Sequence, residues 1–191
     1  MLSGWRRVNG SEYVSGVTKT STPATLPSTG NSPRAEEISW QWSRFSELTA
    51  ADLYAVVMLR ESVFVVEQNC PYPDADGRDP KAWHLLGWFG SADQRSLAAY
   101  ARIFEPGLRY EEGSIGRIVT APAVRGTGVG RVLMEEALRR LESLAPGQRI
   151  KIAAQQRLES FYIGFGFTTI SAPYEEDGIM HVDMIRQRDT S

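Results

Sequence analysis

The sequence predicts one mixed α/β domain in which short strands and helices share a single sheet. Three observations predict it: period-two alternation beginning at Ile38, an amphipathic helix pattern from Val129 to Leu141, and paired apolar runs at Trp83 to Phe89 and Leu97 to Phe104. A chain of 191 residues with 42% hydrophobic content holds one substantial core and a tail, with no room for a second full domain.

From Gly10 to Pro33 the chain is dominated by Ser, Thr, Gly and Pro, with Val14, Val17 and Leu26 isolated among them. Such a segment cannot bury enough apolar surface to order itself. Residues 1 to 37 are therefore expected as a disordered N-terminal tail, either natural or added, ahead of a domain at 38 to 187 and a short C-terminal tail at 188 to 191. Ile38, Trp40 and Trp42 alternate with Ser39, Gln41 and Ser43 as in a half-buried strand. Thr49 and Asp52 have capping-box spacing, and Leu53, Val56, Val57, Arg60 and Phe64 recur at helical spacing behind them. A Pro, Gly and Asp-rich loop from Gln68 to Pro80 leads to the two apolar runs, which flank Gly90 to Arg95 as a hairpin. Ser114 to Thr120 is a further strand. Val129, Val132, Leu133, Ala137, Leu138 and Leu141 form one helix face, and the spacing on the other face predicts the pairs Glu135 with Arg139 and Glu136 with Arg140. Arg149 to Ala154, Phe167 to Ile170 and Met180 to Ile185 read as closing strands, with a short helix at Leu158 to Phe165.

Charge and cysteine usage narrow the function classes. A net charge of -2 provides no basic field for nucleic acid or an anionic membrane surface. The single Cys70 rules out an internal disulfide and any Cys-rich zinc site, so a reducing, cytoplasmic setting is the expectation. No signal-peptide core or long apolar run marks the chain for export or insertion. His84 and His181 stand alone in sequence, and no metal is assigned.

Gly126, Gly128 and Gly130 separate a strand from a helix, where backbone amides and the helix N-terminus suit a diphosphate, and Arg125 adds a fork of donors. A dinucleotide fingerprint needs its third glycine one position later, and a Walker A loop ends in Gly-Lys-Ser or Gly-Lys-Thr, whereas Gly130 is followed by Arg131. A tight turn with no ligand is the plain alternative.

Arg125-x-x-Gly128-x-Gly130, with Ile118-x-Thr120-x-Pro122 before it, resembles the cofactor motif of the Gcn5-related N-acetyltransferases (GNAT). Gln155 to Phe167, reading QQRLESFYIGFGF, resembles the later segment of that superfamily, and Phe64 to Tyr72, Asp74 to Asp79 and Tyr174 to Gly178 resemble its ElaA-like branch. The likeness covers about residues 38 to 187. It implies an acyl-CoA N-acyltransferase fold: a central, mostly antiparallel sheet splayed between strands 4 and 5 and flanked by helices. It implies acetyl-CoA as co-substrate and direct transfer to an amine on a small molecule or peptide. By the same resemblance Ile118, Val119 and Thr120 offer backbone bonds to the pantetheine arm, and the amides of Arg125, Gly126, Thr127, Gly128, Val129 and Gly130 hold the pyrophosphate.

Gln155 stands where relatives place a cofactor-contacting Asn, or is simply a polar strand end. Tyr162 stands where a tyrosine protonates the departing thiolate, or is a packed ring beside Phe161; a phenol with a reference pKa of about 10 suits the first role. Glu67, where the first helix gives way to the acceptor-facing loop, is the leading base or amine anchor, against a solvated carboxylate. Glu175, Glu176 and Asp177 form either a solvated turn or a wall favouring a cationic acceptor. Cys70 reads as structural rather than as an acyl carrier. A different class, a non-catalytic acetyl-CoA sensor or partner-binding module, keeps the same cofactor site. Such folds also pair along sheet edges, so a homodimer is an open expectation that no particular residue argues for.

Overall fold

A computed structural model describes residues 34 to 91 and 93 to 187; the rest of the expected tails, residues 1–33 and 188–191, lies outside the described residues. A 3-10 turn at Ala35–Glu37 precedes strand β1 (Ser39–Arg44), and Ala35 already packs against the core. Helix α1 (Ala50–Arg60) starts at the expected box: Thr49 Oγ1 accepts from the Asp52 amide at 3.1 Å, and the Asp52 carboxylate accepts from the Thr49 amide at 3.3 Å. No Gly or Pro stops it, so the chain runs on through a wider π turn at Glu61–Glu67, where the Gln68 amide donates to Val63 O at 3.1 Å.

The sheet runs in the order β1, β2 (Trp83–Phe89), β3 (Ser96–Phe104), β4 (Gly113–Thr120), β5 (Ile150–Gln155), β8 (Ile179–Arg186), β6 (Phe167–Thr169), with β7 (Tyr174–Glu176) also on β8. Neighbours are antiparallel except β4 and β5, which are parallel and pair only at Gly113 with Ile150 and Ser114 with Lys151. Beyond these positions the strands part, which is the splay the resemblance implies. Its local cause lies in β4. Arg102 faces Gly116 and Tyr100 faces Val119, so Arg117 and Ile118 together oppose Ala101 in a bulge, with Arg117 at φ +49°. Bulges bend a strand and sharpen its twist, which here turns β4 away from β5.

Helix α2 (Val129–Leu144) buries Val129, Leu133, Met134, Ala137 and Leu141. Its outer face keeps only one of the two expected pairs. Glu136 takes both Arg140 at 2.7 Å and Arg139 at 2.6 Å, so Glu135 turns back to Arg131 at 3.1 Å. A Cβ built on Gly113 would meet Leu141 of α2 at 3.0 Å. Strand alternation then puts Ser114 and Gly116 on the opposite face, that of α1, where Arg60 of α1 and Arg102 of β3 share Asp79.

The acidic segment, with its expected turn, is a hairpin. Tyr174–Glu176 pairs with Ile179–His181 across Asp177 and Gly178, both at positive φ (51° and 78°). An Asp-Gly turn of this kind matches the twist of its strands.

Candidate active site

The splay opens a cleft of about 620 Å3. Ile118, Val119 and Thr120 of β4 form one wall and Ile152, Ala153 and Gln155 of β5 the other. Among the described residues neither strand has a partner along this stretch on the cleft side, so unpaired backbone donors and acceptors face each other across it. Tyr162, from helix α3 (Glu159–Ile163), also lines the cleft, as do Glu67 and Arg125.

The glycine turn lies just past the cleft edge at Arg125, and Gly126, Thr127, Gly128, Val129 and Gly130 are not among its lining residues. Gly126 and Gly128 take φ values of 77° and 89°, which ordinary side chains avoid. The expected six amides divide. Those of Arg125 and Thr127 already donate to the carbonyls of Pro122 and Val124, at 3.3 and 3.4 Å. Those of Gly126, Gly128, Val129 and Gly130 have no backbone acceptor among the described residues and stand at the start of α2, where the helix dipole favours an anion. Thr127 spends its hydroxyl on Val124 O at 2.7 Å, and the Val129 side chain is wholly buried.

Two of the expected site residues meet each other. Arg125 donates both Nη atoms to the Glu67 carboxylate, at 2.8 and 2.9 Å, across the mouth of the cleft. This hydrogen bonding holds the Glu67 carboxyl below the usual carboxylate range, which makes it a poor base, and it occupies the Arg125 fork expected to face phosphate. Gln155 donates to Gln68 Oε1 at 3.1 Å and accepts from Arg157 Nε at 3.0 Å, so it ties the end of β5 to the α1 side of the cleft.

Tyr162 is 6% exposed and packs edge-on against Phe161 and Phe167. Burial pushes its phenol up to about 12, above the reference value that made a match with a thiol attractive. Its proton is therefore held through the neutral range and given up only to a strong local demand. Cys70 is buried, and its thiol donates to the Asp177 carbonyl at 3.0 Å, tying the loop that follows the π turn to the β7–β8 turn. Glu176 and Asp177 line the cleft, whereas Glu175 does not.

The acidic loop is the least expected part of the site. Asp74, 7% exposed, accepts from Arg60 Nε and from Arg117 Nε, each at 2.7 Å. Asp76 and Asp79 take Arg102, and Asp79 also accepts from Arg60 Nη1 at 2.9 Å. Arg102 holds Asp76 well below the usual carboxylate range against the opposing cost of burial. The loop is thereby clamped over the α1 face of β3 and β4, and Arg117 is clamped at the bulge.

Two further cleft residues went unassigned in sequence. His181 pairs with Gln155 across β5 and β8; its Nδ1 donates to Ile179 O at 2.8 Å, which leaves Nε2 as the accepting nitrogen of the neutral ring. Arg109 reaches the cleft from the β3–β4 connection. A lone histidine or arginine carries no motif, so only three-dimensional placement finds either.

A sheet opened between two parallel strands beside a helix-capping glycine turn defines an acyl-CoA N-acyltransferase fold, and comparison agrees. Residues 91–187 match the acetyltransferase (GNAT) domain family. An acyl-CoA N-acyltransferase from Pseudomonas aeruginosa superposes with a TM-score of 0.73 at 38% identity, covering 78% of this chain and 99% of that one. Escherichia coli ElaA superposes at 0.72 with 43% identity and the same coverage. A UPF0039 protein of Synechocystis is 42% identical over 149 residues, 78% of this chain and 95% of that protein. The chain belongs to the GNAT acetyltransferase family and lies among its ElaA and UPF0039 members.

Proposed function

We propose that this protein moves the acetyl group of acetyl-CoA directly onto an amine within a ternary complex. The observation that carries the reading is the splay: two paired positions, then an open cleft with free backbone on both walls and a buried phenol facing into it. The pantetheine arm lies along Ile118, Val119 and Thr120, and the pyrophosphate sits on the four free amides between Gly126 and Gly130. Gln155 braces the opposite strand.

The neutral amine nitrogen attacks the thioester carbonyl carbon, a C–N bond forms, and the C–S bond breaks. Tyr162 first donates a hydrogen bond to the leaving sulfur and then its proton; the raised pKa keeps it loaded as an acid until that charge develops. The amine is mostly protonated at neutral pH, so its proton must be taken, and we assign that step to Nε2 of His181, which lines the cleft. Glu67, held on Arg125, positions that arginine beside the glycine turn rather than acting as base. Positioning supplies most of the acceleration. No helix among the described residues is long and apolar enough to cross a membrane.

The test is coenzyme A release across a panel of polyamines, amino acids, aminoglycosides and peptide N-termini. Tyr162→Phe is expected to lower kcat by about a hundredfold with acetyl-CoA affinity kept. His181→Gln is expected to lower kcat by about tenfold or more, with recovery at high pH where the amine is already neutral. Wild-type turnover by the Phe variant overturns the acid assignment, and tight cofactor binding without release to any amine overturns transfer itself.

A further inference from the structure

Among the cleft arginines, Arg109 differs from its neighbours. Arg117 and Arg125, which also line the cleft, each hold a carboxylate, Asp74 at 2.7 Å and Glu67 at 2.8 Å. Arg109 makes no ion pair among the described residues; its Nε, like that of Arg102, is buried with no hydrogen-bond partner, but Arg102 places its Nη atoms on Asp76 and Asp79, whereas no Arg109 nitrogen has an acceptor among the described residues. Its guanidinium lies over the Tyr110 ring, 5.1 Å from the centroid, and Nη1 is 3.6 Å from where a Cβ on Gly116 would stand. Gly116 is the last β4 residue before the bulge and faces the α1 side, opposite the glycine turn. A cofactor held at α2 reaches the splay from one face of the sheet, so an acceptor enters from the other, where Arg109 waits. A buried guanidinium donor without a partner is costly unless something anionic completes it. The planar fork of arginine matches a carboxylate.

From this placement we propose that the acceptor amine also carries a carboxylate, which Arg109 binds while the amine faces the thioester; the inference rests on the transfer reading above. Glu176 and Asp177, across the cleft at the β7–β8 turn, make no ion pair among the described residues and suit the ammonium end of such a molecule. The acceptor class is an amino acid or the C-terminal end of a peptide.

The experiment uses matched acceptors that differ only in the anion: lysine against cadaverine, and a peptide ending in lysine against its C-terminal amide. Coenzyme A release is followed with wild-type protein, Arg109→Gln and Arg109→Lys. The expected wild-type preference for the carboxylate member of a pair is about tenfold to a hundredfold in kcat/KM, chiefly through KM. Which pair shows it separates a free amino acid from a peptide end. Arg109→Gln brings the ratio toward one, and Arg109→Lys, which keeps the charge without the fork, recovers part of it. A wild-type ratio near one, or a preference that survives Arg109→Gln, overturns the proposal while leaving transfer standing. If no acceptor releases coenzyme A, transfer fails. The subsite is then decided by calorimetric titration of lysine into the coenzyme A-saturated proteins: binding lost in Arg109→Gln upholds it, and equal or absent binding overturns it.

Discussion

Replacing Asp74 with Asn tests whether one carboxylate organises both halves of the cleft. Its two oxygens accept separately, Oδ2 from Arg60 Nε and Oδ1 from Arg117 Nε, each at 2.7 Å, with Tyr72 Oη donating to Oδ1 at 3.3 Å. Asn keeps the shape but presents an NH2 group to one of these N–H donors, so one guanidinium loses its charge-assisted bond. Breaking a buried pair costs about 3 to 5 kcal/mol, and Arg60 retains Asp79, which places the expected loss near the lower figure. For a domain of this size, about 3 kcal/mol corresponds to a fall in Tm of roughly 6 to 12 °C. Because Arg117 sits at the bulge, the same change should loosen β4 and weaken acetyl-CoA binding measured by calorimetry. Thermal unfolding within about 2 °C of wild type would refute the claim that Asp74 carries the clamp.

Gly128→Val should raise the Kd for acetyl-CoA about tenfold or more in a calorimetric titration. Its φ of 89° strains any β-branched residue by about 1 to 2 kcal/mol, yet an added Cβ meets nothing within 4 Å, so the protein should still fold; wild-type affinity would count against the glycine turn as the phosphate cradle. Stability should also fall on the alkaline side. A phenol raised from an unfolded value near 10 to about 12 contributes stability that is complete below pH 10 and is lost as pH rises toward 12. For Tyr162 that loss amounts to about 1.4 kcal/mol at pH 11. Urea unfolding at pH 8 and 11 should therefore show Tyr162→Phe losing less than wild type, and equal losses would mean the phenol is not buried.

Elements with local signals were legible: the Thr49 box, the α2 stripe, the hairpin at Gly90 and the glycine turn each lie within a few residues of their own evidence. The Asp177-Gly178 hairpin is equally local, its turn signal lying within the acidic run itself. What remained hidden joins distant positions. The Arg117 bulge is defined only by its register on β3, the Glu67 and Arg125 pair spans 58 residues, and the aspartate clamp spans separations of 14 to 43. Glu67 illustrates this: its carboxylate lines the cleft, but what it does there depends on a partner that no spacing rule supplies.

The extra residue in β4 also divides the strand into two reading frames. Before Arg117 the even-numbered residues face the α1 side; after it the odd-numbered ones do, as Val119 opposite Tyr100 shows. Thr120 consequently turns to the α2 side, where its methyl stands 3.8 Å from the place a Cβ would take on Gly130. A one-residue deletion at this point would be as damaging as one in mid-helix, because every side chain beyond it would exchange core for cleft. Insertions and deletions in descendants of this chain should therefore accumulate in the connections around the sheet, and spare the two residues that open it.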